Sequence, residues 1–406
     1  MRLERVDASD ARAVLRGLRG AVLGAGPAIA LGGGGGGDGG GGVAPAGGGG
    51  GGATAGGRVA SAALPAEVPA GTAVVVTTSG STGYPKSVAL SRSALTSSAL
   101  ATAARIGEGA WLLALPPGYI AGVQVLVRAL AGGREPAILA GSFSAHAFAA
   151  AASAMASSEG GVPVPAYTSL VPAQLQTVLD AVDAGDADAA RALTSFEAIL
   201  VGGQALAPAL ADRAAAAGAR IVRTYGSSET SGGCVYDGVP LDGVGVRIAG
   251  GEVQLSGPTL ADGYLGDPER TAAAFEVDAA GTRWYRTGDL GEWDGRRLRV
   301  TGRADNVIVS GGVNVSLDRV ERAVRAVPGF EGAVVVAVPD ERWGEASVVV
   351  CAGDAARHPD ATARVRAAVE AALGKIARPR AVIAVDAVPM LASGKPDRVA
   401  LRALPD

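Results

Sequence analysis

Two lysines near opposite ends of the chain, Lys86 and Lys395, lie in glycine-rich turns and could hold phosphate groups. The chain has only one further lysine, Lys375, among its 36 lysines and arginines. Because arginine fills nearly every other basic position, a retained lysine indicates a site that needs a compact ammonium rather than a planar guanidinium. We interpret Lys86 and Lys395 as two sides of one phosphate-handling site. The alternative is that both are ordinary surface lysines.

The first turn follows a strand-like run and reads Thr77-Thr-Ser-Gly-Ser-Thr-Gly-Tyr-Pro-Lys86. It is superficially like a Walker A loop, but Pro85 stands where the second glycine should be and has no N–H to offer a phosphate. What remains is a loop of hydroxyl and backbone donors with one charge, which favours an anion site over a solvated turn. The predicted anion ligands are Thr78, Ser79, Gly80, Ser81, Thr82, Gly83 and Lys86.

Two further segments place polar side chains where strands end. In 224–230, Glu229 could hold a divalent cation and Tyr225 could offer an aromatic face to a base, although an exposed glutamate in a turn is more often simply solvated. In 284–305, Asp289 and Arg303 could bracket a ribose. The alternative for that pair is a structural ion pair.

The periodicity predicts an α/β fold: a large layered N-terminal domain with a small β subdomain, plus a mobile α+β C-terminal domain. Alternating strands and helices indicate the layered core, and short strands after Gly243 indicate the subdomain. We expect domains at 1–304 and 305–406, with 32–57 a flexible glycine-rich loop because glycines bury no side chain and lose much entropy on ordering. The predicted strands are 73–77, 111–115, 137–139, 198–201, 220–224, 244–248, 252–256, 291–293, 297–300, 333–338, 346–351 and 381–385, and the predicted helices are 91–104, 173–184, 208–217, 316–326 and 362–373.

Composition excludes several classes of function. A net charge of −3 gives no support for nucleic-acid binding. Two cysteines and two histidines, all outside the motifs that we assign to catalysis, argue against a disulfide framework, a metal cluster and a histidine-based triad. With no leader and no apolar run of spanning length, we expect a cytoplasmic protein without membrane insertion.

Together, the motifs at 77–86, 225–230, 285–290, 302–305 and 393–395 resemble, in order, those of the adenylate-forming acyl-CoA synthetase family. The resemblance covers 72–398 and implies two half-reactions: a carboxylate attacks ATP to give an acyl-adenylate and pyrophosphate, and CoA then displaces AMP. It implies Mg²⁺ on Glu229, catalytic roles for Lys395, Thr230 and Glu229, and a hinge at Asp305. Implied nucleotide contacts besides the phosphate loop are Gly203, Tyr225, Gly226, Ser227, Asp289 and Arg303, and implied CoA contacts are Ser310, Gly311 and Gly312.

Three stretches, 115–125, 167–175 and 232–238, look most like the o-succinylbenzoate–CoA ligases of menaquinone biosynthesis. That subfamily usually has a histidine about where Gly118 stands, so we expect weaker binding of the aryl acid here and an improvement on restoring the histidine. The acid is expected among Tyr119, Gln124, Thr168, Gly232 and Gly233.

Three alternatives stay open at this point: a CoA ligase for another aryl or fatty acid, an amino-acid adenylation domain, and a non-enzymatic nucleotide-binding relative. The second is disfavoured by the lack of an acidic residue near Tyr119 and of a carrier-protein segment after Asp406. The third is disfavoured by the retained charged residues. The expected partners are a small carboxylic acid, ATP and CoA, and a homo-oligomer is left open.

Overall fold

A computed structural model describes residues 1–24, 26–32, 64–79, 85–155, 158–310, 312–391 and 394–404. Its strands are β1 (Leu3–Asp7), β2 (Ala28–Gly32), β3 (Thr72–Ser79), β4 (Pro85–Ser91), β5 (Ala110–Leu113), β6 (Ala137–Ile138), β7 (Ser158–Glu159), β8 (Val162–Pro163), β9 (Ala166–Leu170), β10 (Ala198–Val201), β11 (Ile221–Ser227), β12 (Gly232–Tyr236), β13 (Val239–Pro240), β14 (Gly245–Ala249), β15 (Glu252–Ser256), β16 (Gly263–Tyr264), β17 (Phe275–Val277), β18 (Arg283–Trp293), β19 (Leu298–Arg303), β20 (Val307–Ser310), β21 (Val313–Ser316), β22 (Val334–Asp340), β23 (Gly344–Ala352) and β24 (Ala381–Val385). The helices are α1 (Ala11–Leu23), α2 (Arg92–Ile106), α3 (Ile120–Ala131), α4 (Ala145–Ser153), α5 (Pro172–Asp183), α6 (Ala187–Ser195), α7 (Pro208–Ala216), α8 (Pro268–Ala274), α9 (Leu317–Arg325), α10 (Asp354–Arg357), α11 (Ala361–Leu373) and α12 (Arg398–Arg402).

Two sheets form the layered part of the fold. Within the described residues, one has the strand order β1-β2-β3-β4-β16 and the other β13-β12-β11-β10-β9-β5-β6. Helices α1, α2 and α3 share one apolar core with both sheets, and α4 to α7 cover the opposite face of the second sheet. Strand β10 is apolar along its whole length, and β3 is apolar and fully buried over residues 73–76, because both faces of each sheet are covered there.

A third sheet, β14-β15-β18-β17 with β19 on β18, forms the predicted β subdomain. A fourth, β21-β20-β23-β22 with β24 on β23, forms the C-terminal α+β unit. Its core is built where α9 and α11 pack on the sheet through the buried side chains of Val320, Val324, Val365 and Val369, and Phe330 after α9 joins the same core. The predicted α/β class with a separate α+β unit is confirmed.

The elements predicted from periodicity are present, with shifts of a few residues at their ends. Ser91 caps α2 as expected, since its hydroxyl accepts a hydrogen bond from the N–H of Ala94 at 3.1 Å. The predicted strand 291–293 is only the end of the longer β18. Among the elements that the sequence analysis did not predict are β1, α1, β2, β4, α3, α4, β9, α6 and β12. Gly32 ends β2, and the rest of the predicted glycine-rich loop lies outside the described residues.

Among the described helices, none combines the length and the apolar composition that crossing a bilayer requires.

Candidate active site

The turn between β11 and β12 carries Glu229, the residue predicted to bind a divalent cation. Residues 228–230 form one turn of 3₁₀-helix, and Ser231 after it has φ 53°. The buried Thr230 hydroxyl accepts from the N–H of Ser227 at 2.8 Å and lies 2.7 Å from the carbonyl of Gly232, to which it donates. These bonds close the turn and fix the backbone on either side of Glu229.

Glu229 is only 6% exposed, and two side chains from neighbouring strands contact its Oε1. The Tyr264 hydroxyl donates to Oε1 at 2.8 Å, and Lys86 Nζ lies 3.9 Å from the same oxygen. Lys86 Nζ also lies 5.2 Å from the centroid of the Tyr264 ring. Strand pairing brings these groups together, because Tyr264 on β16 faces Val88 on β4, the strand that carries Lys86. The structure therefore places the first predicted lysine beside the predicted metal ligand.

Asp289 and Arg303 lie directly opposite each other on β18 and β19. Asp289 Oδ1 is 3.2 Å from Arg303 Nη1, and its Oδ2 accepts from the Tyr225 hydroxyl at 2.6 Å. Burial raises the pKa of Asp289, while Tyr225 and Arg303 oppose the rise. The three side chains predicted to surround the nucleotide thus form one hydrogen-bonded group, and the ion pair considered from the sequence is present within it.

The hinge residue predicted from the sequence is attached to this group. Arg303 Nε and Nη2 donate to the two carboxylate oxygens of Asp305 at 2.7 and 3.0 Å. The N–H of Arg303 donates to Asp318 Oδ2 at 2.7 Å, at the start of α9. Arg303 therefore bridges the β subdomain and the C-terminal unit.

Lys395 is docked toward the same place from the C-terminal unit. Gln204 Nε2 donates to the carbonyl of Gly394 at 2.7 Å, and a Cβ on Gly394 would lie 3.0 Å from Val171 Cγ2. The Lys395 side chain remains exposed to solvent, yet the surrounding protein desolvates its ammonium enough to lower its pKa, an effect that the charge of Glu229 opposes. Lys86 thus lies 3.9 Å from Glu229, and Lys395 lies within range of the charge of the same carboxylate.

The predicted acid pocket contains an amide without hydrogen-bond partners. Gln124 on α3 is 1% exposed, and neither its Oε1 nor its Nε2 has a partner within the described part of the chain. It packs on Gly232, where a Cβ would lie 3.1 Å from Gln124 Cγ and where φ is 96°. A buried amide without partners carries a desolvation cost, so Gln124 is well suited to bind a polar ligand.

The other predicted pocket residues have different surroundings. Tyr119 immediately precedes α3 and is half-buried, and Gly233 on β12 pairs with Gly226 on β11. Thr168 is fully buried and donates its hydroxyl to the carbonyl of Leu112 at 2.9 Å. In this structure Thr168 therefore joins two strands of the sheet, and its contact with an acid stays a prediction.

Arg128, one turn after Gln124 on α3, was missed by the sequence analysis. It is 7% exposed, donates to the Tyr236 hydroxyl at 3.2 Å and lies 5.0 Å from the Trp111 ring centroid. Burial lowers its pKa, and within the described residues it forms no salt bridge. A charged residue in the otherwise apolar segment 125–130 was the available signal.

The remaining predicted residues are placed as follows. Thr78 faces Lys86 across the β3–β4 hairpin, while Gly80, Ser81, Thr82 and Gly83 lie outside the described residues, as does the side chain of Ser79. Gly203 has φ 81°, and Ser227 ends β11. Ser310 is buried at the end of β20, Gly312 has φ 80° with open space around it, and Gly311 lies outside the described residues.

The donor set fits Mg²⁺ that arrives with a polyphosphate. The described residues contain no group of three or more histidine, cysteine or acidic side chains that could hold a metal ion by themselves. Mg²⁺ is commonly held by one or two carboxylates together with substrate phosphates and water. Glu229 supplies one such carboxylate beside Lys86.

Comparison with protein families gives two matches. Residues 52–265 match the AMP-binding enzyme family, and residues 319–395 match the C-terminal domain of AMP-binding enzymes. A probable 2-succinylbenzoate–CoA ligase of Mycobacterium tuberculosis is 42% identical over 337 residues, which cover 81% of this chain and 83% of the relative. A medium/long-chain-fatty-acid–CoA ligase of the same species is 34% identical over 268 residues, 58% of this chain and 45% of the relative.

Solved structures give a similar picture. The o-succinylbenzoate CoA synthetase of Bacillus subtilis, in complex with its acyl-adenylate intermediate, has a TM-score of 0.67 and 25% identity over 82% of this chain and 69% of that one. An amide bond synthetase of Marinactinospora thermotolerans has a TM-score of 0.69 and 30% identity over 83% of this chain and 70% of that one.

The structure changes the expectation for Gly118. A Cβ there would lie 2.7 Å from the Cβ of Ala8, so any side chain meets the N-terminal segment first. We therefore expect Gly118→Ala to lower the free energy of unfolding by about 1–3 kcal/mol through overpacking, measured by urea denaturation. Restoring a histidine should destabilise the protein rather than improve acid binding.

Gly132→Ala is the matched control. Gly132 ends α3 with φ −80°, and a Cβ there would make only ordinary contacts at 3.4 Å or more. Its stability should stay within about 0.5 kcal/mol of wild type. Equal stability of the two variants would mean that the N-terminal segment yields freely at position 118.

Proposed function

Since this chain belongs to the AMP-binding enzyme family, we propose that it is an acid–CoA ligase whose acid is 2-succinylbenzoate. ATP and the acid give an acyl-adenylate and pyrophosphate, and CoA then displaces AMP to form the thioester. The observation that carries the choice of acid is the buried Arg128, which has no carboxylate partner in the described residues. The reaction would serve menaquinone biosynthesis in the cytoplasm, as the sequence resemblance implies.

Charge neutralisation dominates the first step, because an anion must approach a polyphosphate. Lys86 would contact the β- and γ-phosphates, and Glu229 would hold Mg²⁺ through its carboxylate. The metal would supply charge neutralisation on the phosphates. Lys395 would bridge the attacking carboxylate and the α-phosphate, where its ammonium stabilises the charge that develops. Asp289 and Arg303 would hold the ribose.

The acid end of the site favours a substrate with a second carboxylate. 2-Succinylbenzoate carries one carboxylate on its succinyl arm and one on its ring, so one remains when the other is activated. A guanidinium buried without an anion is costly, and binding a carboxylate would relieve that cost. Gln124, with its amide unsatisfied on the same face of α3, would add hydrogen bonds.

A fatty-acid CoA ligase is less well supported. An alkyl chain would leave Arg128 and Gln124 buried and unsatisfied, and this outweighs the similarity to the fatty-acid ligase. The described pocket residues include no acidic side chain for an α-amino group, which also disfavours an amino-acid substrate.

The two half-reactions need different positions of residues 305–406 relative to 1–304. The Gln204–Gly394 hydrogen bond holds Lys395 toward Glu229, an arrangement suited to adenylate formation. Rotation about Asp305 would withdraw Lys395 and turn Ser310, Gly311 and Gly312 toward CoA.

We expect 2-succinylbenzoate to outperform benzoate and medium-chain fatty acids by at least about tenfold in kcat/KM, the equivalent of one hydrogen bond to a charged group. The measurement is Mg²⁺-dependent pyrophosphate release with each acid. A monocarboxylate that matches or exceeds 2-succinylbenzoate would overturn the choice of acid and leave the family assignment intact.

Arg128→Lys tests the residue behind that choice. Lysine lacks the planar fork of arginine, so kcat/KM for 2-succinylbenzoate should fall about tenfold or more while the KM for ATP stays unchanged. Arg105→Lys is the control, because Arg105 donates to the carbonyls of Val239 and Pro240 and performs a structural role. It should change Tm without changing the KM for the acid.

Lys395→Ala should slow adenylate formation by about 10²-fold, on the order of 3 kcal/mol for a lost charge-stabilising donor. Thioester formation from supplied acyl-adenylate and CoA should stay near wild type, because Lys395 would lie far from CoA in the second state. Lys375→Ala, at an exposed 3₁₀ turn, should retain both steps. Equal damage to both steps in Lys395→Ala would refute the rotation.

The lowered pKa of Lys395 predicts an alkaline limit on adenylate formation. As pH rises through this pKa, the ammonium loses its charge and the rate of adenylate formation should decrease. The decrease should begin at a lower pH than the titration of an ordinary lysine, whose pKa is about 10.4. Lys395→Arg should be slower but keep its charge through this range. The measurement is single-turnover pyrophosphate release against pH. If the rate of wild type and that of Lys395→Arg decrease over the same alkaline pH range, the titrating group is not Lys395.

A further inference from the structure

Tyr264 lies outside the motifs that carry the family resemblance, yet it contacts two of the charged groups assigned to ATP. Its hydroxyl donates to Glu229 Oε1 at 2.8 Å, and its ring lies under the Lys86 ammonium at 5.2 Å. The residue is 6% exposed, so both contacts are sheltered from water.

The backbone around Tyr264 holds it firmly. Tyr264 is in the two-residue strand β16, which pairs with β4, and its N–H donates at 2.9 Å to the hydroxyl of Thr271 in the middle of α8. Its ring packs 6.2 Å from that of Phe275, which in turn packs 5.2 Å from that of Tyr285. The phenol is therefore anchored independently of any nucleotide.

The two carboxylate oxygens of Glu229 have different surroundings. Oε1 accepts from Tyr264 and faces Lys86, whereas no hydrogen bond or ion pair occupies Oε2 within the described residues. The Tyr264 hydroxyl is the donor of the bond to Oε1, because an ionised carboxylate oxygen can only accept. A fixed donor on one oxygen orients the carboxylate and leaves the other oxygen for a cation, as hydrogen-bond partners of metal ligands commonly do.

We propose that Tyr264 is a positioning residue that orients Glu229 toward Mg²⁺ through its hydroxyl and steadies Lys86 against the phosphates through its ring. The inference rests on the proposed ATP chemistry but not on the identity of the acid. The role of the hydroxyl and the role of the ring can be tested separately, because Tyr264→Phe keeps the ring and removes the hydroxyl.

The test is ATP binding to the full chain by isothermal titration calorimetry, with and without MgCl₂ and with no acid present. In wild type and in Tyr264→Phe, ATP alone should bind equally, since the ring is retained. Mg²⁺ should strengthen ATP binding in wild type, and Tyr264→Phe should lose most of that gain, with the Mg²⁺ half-saturation raised about tenfold. Glu229→Gln should behave like Tyr264→Phe, and Tyr264→Leu should in addition weaken binding of ATP alone.

Tyr167→Phe is the matched control, because it removes a buried hydroxyl that donates to the carbonyl of Ile106 at 2.8 Å. Its Tm should fall to a similar extent while its Mg²⁺ gain stays at the wild-type value. An unchanged Mg²⁺ gain in Tyr264→Phe would overturn the inference, as would an equal loss of ATP binding with and without Mg²⁺. A wild-type protein that fails to bind ATP would instead overturn the proposed function together with the inference.

Discussion

The buried carboxylate of Glu229 is the constraint on which the site depends. A carboxylate that is only 6% exposed needs hydrogen bonds and a counter-charge to offset the cost of removing it from water. Those partners are Tyr264 on β16 and Lys86 on β4. The β11–β12 turn, strand β16 and strand β4 must therefore meet at one point. Satisfying one charge thereby fixes the relative position of two sheets at the place where ATP would bind.

A second group of charges joins the two parts of the chain. Arg303 holds Asp289 on one side and Asp305 on the other, directly before the C-terminal unit begins. Farther along, one hydrogen bond from Gln204 to the Gly394 carbonyl docks the turn that carries Lys395. Release of the hydrogen bond between Gln204 and Gly394 would allow the rotation that we propose for the second half-reaction.

At the acid end of the site, in contrast to Glu229, buried polar groups lack partners within the described residues. Gln124 and Arg128 are buried on one face of α3 with their polar groups incompletely satisfied in the described structure. Such groups cost stability unless a ligand satisfies them, and natural proteins keep this kind of cost mainly at functional sites. The same unsatisfied groups would discriminate against substrates that lack the second carboxylate, because those substrates leave the cost in place.

The sequence by itself determined the α/β class, most elements of 73–385, and the chemical character of Lys86, Glu229, Asp289, Arg303 and Lys395. Local periodicity and turn chemistry carry that information. Only the tertiary structure decided that Tyr264 contacts Glu229, that Arg128 is buried beside Tyr236, and that Gly118 faces Ala8. These contacts join residues up to 110 positions apart, such as Gly118 and Ala8. Pairing over such separations depends on how sheets and helices pack together, and no local pattern of residues encodes it.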